Sequence, residues 1–273
     1  MKKDNFFDLL YTNFEYKSPE KNNFLAEKYR FISFCLYYFK IIKLVFINRL
    51  ISHIRPYNID LWSKASLNAI KIAESVGGKI HISGLKPLAG YKGQGPVVFI
   101  ANHMSLLDTF ILPCITLMHS NVTFVVKEEL LKYPIFGPFL QNINPISVTR
   151  RSPKQDLKTV LQQGQDRILK GYSVVIFPQS TRTNIFDVKS FNSLGIKLAK
   201  TAKVPVVPVA LKTDFHGNGK IIKEMGQINP DLPLHVKFGS LIDVSGKGNK
   251  AHQKVVEFIA ENMLKWGGKV KNK

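Results

Sequence analysis

Cysteine is nearly absent from this 273-residue chain, which has only Cys35 and Cys114. The two stand in unlike surroundings and without metal-ligand spacing, which argues against a disulfide framework or a structural zinc site and fits a reducing compartment. No metal and no cofactor is expected. Acidic residues are also scarce, 19 against 39 Lys plus Arg, for a formal charge of +20. A surface of that sign attracts polyanions: nucleic acid, anionic lipid headgroups or phosphorylated metabolites. No uncharged apolar run approaches the ~20 residues of a membrane span. The first thirty residues, mixed polar and aromatic, lack the apolar core of a secretory signal, so the expected location is the cytoplasmic side.

The most apolar stretch is 31–51, FISFCLYYFKIIKLVFINRLI, interrupted by Lys40, Lys43 and Arg49; its longest uncharged piece runs from Phe31 to Phe39. This pattern fits a helix lying in a membrane interface, with aromatics at the acyl boundary and Lys or Arg reaching lipid phosphates. An aromatic core helix and a single-pass anchor are the alternatives. Pro56 ends the stretch. Leu61 to Val76 reads as a second amphipathic helix, with Leu61, Ala65, Ile70 and Ala73 at helical intervals, closing at Gly77 and Gly78. Residues 1–78 are therefore expected to form an amphipathic helical hairpin at the membrane interface, ahead of a domain over 79–273.

From Lys79 onward, β-rich runs alternate with helical patterns. The strand candidates are Lys79 to Ile82, Val97 to Ala101, Val122 to Val126, Pro145 to Val148, Ser173 to Phe177, Val206 to Leu211 and Leu234 to Phe238. The helical candidates are Leu106 to Leu117, Lys154 to Lys170, Ser193 to Lys203 and Lys250 to Leu264. The alternation predicts an α/β fold with a mixed, mostly parallel sheet of about seven strands flanked by helices. The lysine-rich end, Lys265 to Lys273, reads as a frayed basic tail.

In such sheets ligands bind beyond the carboxyl ends of the strands. Asn102 and His103 follow one strand candidate, Lys127 and Glu128 the next, Thr149 to Arg151 a third, and Pro178 to Arg182 a fourth. One edge would thus collect His103, Asp108, Lys127, Arg150 and Arg182, a phosphate pocket beside an acid/base pair. Asp108 has two readings. In one, Ser105 is a helix N-cap and Asp108, three residues on, returns its carboxylate to the cap. In the other, Asp108 orients His103 as a general base. Residues five apart are separated by about 140° around a regular helix and do not face each other. His103 must then stand before the helix while Asp108 reaches back from its first turn, a layout that Ser105 as N-cap would produce.

With these clusters in order, the chain resembles the glycerolipid acyltransferases of the 1-acylglycerol-3-phosphate acyltransferase type. NHMSLLD, Asn102 to Asp108, is similar to the family's NHxxxxD, and Lys127 to Leu130 with Pro134 to Gly137 to its KxEL and aromatic-glycine segment. NPISVTR, Asn144 to Arg150, is similar to a glycine-started strand ending in arginine. FPQSTRT, Phe177 to Thr183, stands against FPEGTRS, and VPVVPVAL, Val204 to Leu211, against an apolar block with a fixed proline. The resemblance implies acyl transfer from acyl-CoA or an acyl carrier protein to the hydroxyl of lysophosphatidic acid or a related lyso-lipid, at a membrane surface. It also implies His103 and Asp108 as the catalytic pair, with Asn102, Lys127, Arg150, Gln179, Ser180, Thr181 and Arg182 around the substrates. An alcohol is a weak nucleophile at neutral pH, and histidine is the side chain whose ordinary titration range suits a base there.

Two departures stand out. Gln179 and Ser180 replace the family's Glu-Gly, which opens the acceptor to another lyso-lipid or hydroxylated lipid. Asn144 replaces a glycine, and Thr149 an acidic residue. A non-catalytic basic module for nucleic acid or membrane is the competing class. No helix, finger or stacking-aromatic signature of nucleic-acid readers is present, so nucleic acid is not expected as a partner.

Overall fold

Val98, Phe99, Ile100 and Ala101 form a strand, β3 (Val98–Ala101), in which every side chain is buried. Continuous apolar runs of this kind belong to strands covered by helices on both faces. Burying each Val, Ile or Phe contributes about 1.5–3 kcal/mol relative to leaving it in water. The computed structural model describes residues 3–20, 30–54, 58–133, 137–179, 181–220 and 222–271. Pro56, Pro134 to Phe136 and Ser180 lie outside these residues.

All seven expected strands are present: β2 (Ile80–Ser83), β3, β4 (Val122–Lys127), β5 (Ile146–Val148), β6 (Ser173–Ile176), β8 (Val206–Lys212) and β9 (Leu234–Phe238). With β1 (Tyr16–Lys17) they make an eight-stranded sheet in the order β1-β2-β9-β8-β3-β6-β4-β5. Five neighbours, β8, β3, β6, β4 and β5, run parallel. β9 is antiparallel to β8, and β1 to β2. The chain is thus α/β with a mostly parallel sheet, and its two cores are the two faces of that sheet.

Phe99 and Ala101 face one core, Val98 and Ile100 the other. The first is covered by α3 (Ile59–Ser75) and α4 (Leu107–Thr116), through Leu67, Ile70, Ile111 and Ile115. The second is covered by α5 (Pro153–Leu169), α6 (Leu194–Ala202) and α7 (Gly248–Lys265), through Val160, Ile196, Leu198, Val255 and Ile259. α3 begins two residues before the expected start because Asn58, in an extended conformation, caps it by accepting the Leu61 N–H at 3.0 Å.

The N-terminal segment opens with α1 (Lys3–Thr12) and β1, and β1 pairs with β2 in the register Tyr16 to Ile82. Phe6, Leu10 and Tyr16 are buried in the same cluster as Ile82 and Phe238. Residues on the two sides of position 78 therefore share one sheet and one core. α2 (Arg30–Ile54) is the one helix among the described residues long and apolar enough to cross a membrane. Its Ser33, Tyr37, Tyr38, Ile41 and Leu44 are buried against the protein, while Phe31, Ile32, Phe39, Ile42, Phe46, Leu50 and Ile54 are exposed.

The frayed tail needs correction. α7 continues to Lys265, and β10 (Lys269–Lys271) then pairs in parallel with β7 (Ile185–Asp187). The Lys271 ammonium stands 3.4 Å from the Asp187 carboxylate, so charge pairing ties this end to the loop after β6. Asn272 and Lys273 lie outside the described residues.

Candidate active site

At the end of β3 the backbone leaves the sheet, and Asn102 takes over its pairing. The Asn102 amide donates to the Leu211 carbonyl at 2.7 Å and accepts the Leu211 N–H at 2.8 Å. Both ends of this buried side chain thus hold β3 to β8, and the chain is free to turn. His103 follows in the turn and stands outside α4, which begins at Leu107. α4 starts one residue later than expected, with Leu106 rather than Ser105 at the cap position, although the Ser105 hydroxyl accepts the Leu107 N–H at 3.2 Å.

His103 Nδ1 and Asp108 Oδ2 are 2.9 Å apart. Oδ2 also accepts the Met104 N–H at 2.7 Å and the Ser105 N–H at 3.0 Å. Thr213, just past β8, donates its hydroxyl to Asp108 Oδ1, and Ser105 donates to the Thr213 hydroxyl at 3.0 Å. The Asp108 carboxylate is fully buried, whereas the His103 side chain is 15% exposed. A carboxylate is acceptor-only, so Nδ1 carries the hydrogen when His103 is neutral, and Nε2 is then the free base. Capping and orientation of the histidine are combined in one carboxylate.

Two contacts from the loop after β6 fix the histidine further. Phe177 stacks on the imidazole with ring centres 4.2 Å apart and planes at 20°. Gln179, 3% exposed, accepts the His103 backbone N–H through Oε1 at 2.8 Å. The same loop returns alongside, where the Thr183 N–H donates to the His103 carbonyl at 3.0 Å. Arg182 is thereby carried to the same rim, and its guanidinium pairs with Glu224. Thr181 accepts from the Lys223 ammonium.

Lys127 and Arg150 are not brought to this cluster. Their strands, β4 and β5, stand two and three places from β3, and three strand spacings are about 14 Å. The Lys127 ammonium pairs with Glu129 at 2.5 Å. The Arg150 backbone N–H donates to Asp156 at 2.8 Å, and the Thr149 N–H and hydroxyl donate to the same carboxylate. Asn144 has a φ of 50°, a left-handed conformation that asparagine tolerates better than most residues, so it can stand at a glycine's position.

Residues 213–220 and 222–228, beyond the last recognisable block, supply contacts that no local sequence signal announced. The Asn218 amide donates to the Met104 carbonyl at 2.8 Å. His216 is buried between two tyrosines of α2, with Nδ1 3.0 Å from the Tyr37 hydroxyl and Nε2 3.1 Å from that of Tyr38. Nε2 also lies 3.0 Å from the Glu224 carbonyl, which only accepts, so Nε2 carries the hydrogen and Nδ1 accepts from Tyr37. Burial raises the Glu224 carboxyl, but the bond and charge of Arg182, with Lys223 beside it, bring it below the ordinary carboxylate range.

Burial is also the main reason that His119, His216, His235 and His252 resist protonation, His235 down to about 4. The unfolded chain takes up these protons near the ordinary value of 6.5. The stabilisation from the neutral rings is therefore complete above that pH and is lost as pH falls through the lower folded values. The thermal midpoint should drop by several degrees between about pH 7.5 and pH 5. Equal midpoints at the two pH values would contradict the burial of these rings in neutral form.

Chemically, the rim offers an oriented base with a buried counter-charge, backed by an aromatic wall and flanked by an arginine. That set suits deprotonation of a hydroxyl on an anionic molecule.

Comparisons with known proteins point the same way. The acyltransferase family model matches residues 79–212. A 1-acyl-sn-glycerol-3-phosphate acyltransferase of Pseudomonas aeruginosa is 30% identical over 209 residues, which are 75% of this chain and 76% of the relative. A protein of the same name from Cocos nucifera is 27% identical over 162 residues, 59% of this chain and 51% of the relative. The crystal structure of a 1-acyl-sn-glycerophosphate acyltransferase from Thermotoga maritima shares the fold. Its TM-score is 0.61 at 18% identity, over 88% of this chain and 97% of that one.

Proposed function

The chain belongs to the acyltransferase family, and from that premise we propose that it transfers a fatty acyl group from an acyl thioester to 1-acylglycerol-3-phosphate, giving phosphatidic acid. The donor is acyl-CoA or acyl carrier protein. The observation that carries this reading is the bond between His103 Nδ1 and a buried Asp108 at the carboxyl edge of the sheet, on the rim that also holds Arg182.

His103 acts through Nε2. As the acceptor hydroxyl oxygen bonds to the thioester carbonyl carbon, its proton passes to Nε2, and Asp108 balances the imidazolium charge. The tetrahedral intermediate then collapses, the carbon–sulfur bond breaks, and the departing thiolate takes the proton from Nε2. Histidine and carboxylate end as they began, and no covalent acyl-enzyme is needed. Phe177 and Gln179 keep the ring in place. Arg182, with Thr181, meets the acceptor phosphate, since a guanidinium fork matches phosphate oxygens. Lys127 and Arg150, further along the same rim, are suited to phosphates distant from the reacting carbonyl.

A second reading, another lyso-lipid as acceptor, is favoured by Gln179 and Ser180 in place of Glu-Gly. Against it stands the bond from the His103 N–H to Gln179 Oε1, which a carboxylate oxygen would accept equally well. The exchange therefore weighs on the turn holding His103 rather than on the acceptor. The membrane reading is monotopic, with α2 rather than the whole of the N-terminal segment at the interface, since α1, β1 and α3 pack into the core of the sheet. One side of α2 is buried on the protein, and the exposed Phe, Ile and Leu side chains of the other face lipid.

The test is acyl transfer by the purified chain in vesicles, with both thioester donors and a panel of lyso-lipids. Lysophosphatidic acid should be used at least about tenfold better than the other acceptors, a difference of ~1.4 kcal/mol. Preference for a different lyso-lipid would replace this reading with the second one.

A further inference from the structure

The family match ends at residue 212, yet the wall of the site continues into residues 213–220 and 222–228. This segment is a hairpin, with His216 bridged to Ile228 and the Gly217 N–H donating to the Gln227 carbonyl at 2.9 Å. Its strands approach so closely that a Cβ at Gly226 would lie 2.0 Å from the Gly217 carbonyl oxygen. The hairpin is fixed on both sides. Tyr37 and Tyr38 hold His216, while Asn218 holds the Met104 carbonyl next to His103. Glu224 is positioned within this frame, because its carbonyl lies 3.0 Å from His216 Nε2.

The carboxylate of Glu224 pairs with Arg182, and the two partners differ in exposure. The Arg182 side chain is 14% exposed, whereas that of Glu224 is 44% exposed and borders solvent. A buried guanidinium without a counter-ion is costly, so Arg182 needs an anion at all times. The carboxylate can swing into water at little cost, and the arginine cannot.

We infer that Glu224 is an internal counter-ion for Arg182 that sets headgroup selectivity, because an anionic acceptor headgroup must displace it. The inference rests on reading Arg182 as the residue that meets the acceptor phosphate. A phosphate competes with the Glu224 carboxylate for the guanidinium, which weakens binding of anionic acceptors. An acceptor without phosphate leaves the Arg182–Glu224 pair intact and is not penalised. Glu224 therefore narrows the advantage of phosphate-bearing acceptors over neutral ones.

The experiment measures kcat and KM for lysophosphatidic acid and for monoacylglycerol, the same acceptor without phosphate, in vesicles of neutral lipid. In Glu224→Gln the KM for lysophosphatidic acid should fall about two- to fivefold, the range of a partly exposed ion pair, with the monoacylglycerol KM unmoved. Glu257→Gln, which adds the same charge on α7 away from the rim, should leave both values unchanged. Binding of sn-glycerol 3-phosphate to the full-length chain should tighten in Glu224→Gln by a similar factor. A KM for lysophosphatidic acid that rises or stays the same overturns the inference, since Glu224 would then only position Arg182. An equal fall in Glu257→Gln overturns it as well, because net charge alone would be responsible. Arg182→Met separates this failure from that of the underlying reading. If Arg182→Met raises the KM for lysophosphatidic acid, an unmoved Glu224→Gln rejects only the counter-ion. If Arg182→Met leaves that KM unchanged, the headgroup reading and the counter-ion fall together.

Discussion

His103→Ala should lower kcat about a thousandfold while leaving the fold intact, within the usual ~10²–10⁴ contribution of a positioned general base. The fold is expected to survive because the carboxylate beside His103 does not depend on it. Without the imidazole, Asp108 still accepts the Met104 and Ser105 N–H groups and the Thr213 hydroxyl. The α4 start remains capped, and His103 is itself 15% exposed, so its loss opens no sealed cavity. What goes is the stack on Phe177 and one hydrogen bond, a cost of about 1–2 kcal/mol. The checks are kcat with saturating thioester and acceptor, and a thermal melt of the same preparation. A variant that folds and turns over like the parent would exclude His103 as the base. A variant that fails to fold is controlled by His103→Gln, whose amide can donate to Asp108 in place of Nδ1.

The sequence made much of this arrangement legible for physical reasons. Short apolar runs bounded by turn residues, such as Val98 to Ala101 between Gly95-Pro96 and Asn102, suit strands covered on both faces, and all seven strands of the expected sheet are found. The carboxyl-edge rule then pointed to His103 and Arg182, because parallel strands deliver their following loops to one rim. The same rule applied to Val206 to Leu211 would have singled out Thr213, two residues past that run. β1, β7 and β10 were missed because two- and three-residue strands leave no period to read. Arg150 and Arg182 look equivalent in sequence, but the strand order separates them, and order across a sheet is long-range information. Glu224 and His216 had no local signal at all. Their roles arise from a hairpin whose partners, Arg182 on one side and Tyr37 with Tyr38 on the other, are about 40 and 180 residues away.

Asp108→Asn separates the two readings of the carboxylate, as helix cap and as counter-charge. Asparagine can place its oxygen where Oδ2 now accepts from His103, Met104 and Ser105, and its amide nitrogen where Oδ1 meets the Thr213 hydroxyl. The hydroxyls of Thr213 and Ser105, 3.0 Å apart, can rotate together so that Thr213 accepts instead of donating. Every backbone donor at the start of α4 keeps a partner, and the thermal midpoint should shift by no more than a few degrees. The charge, however, is gone from a fully buried position. The imidazolium formed as His103 takes the acceptor proton then has no counter-ion, and kcat should fall by about 10²–10⁴, the order seen when such a carboxylate becomes an amide in hydrolase triads. Asp108→Ala is the complementary variant. It leaves the Met104 and Ser105 N–H groups buried without acceptors, at about 1–3 kcal/mol each, so it should lose stability as well as rate. If Asp108→Asn keeps nearly full kcat, the carboxylate serves only as a cap, and His103 needs no charged partner.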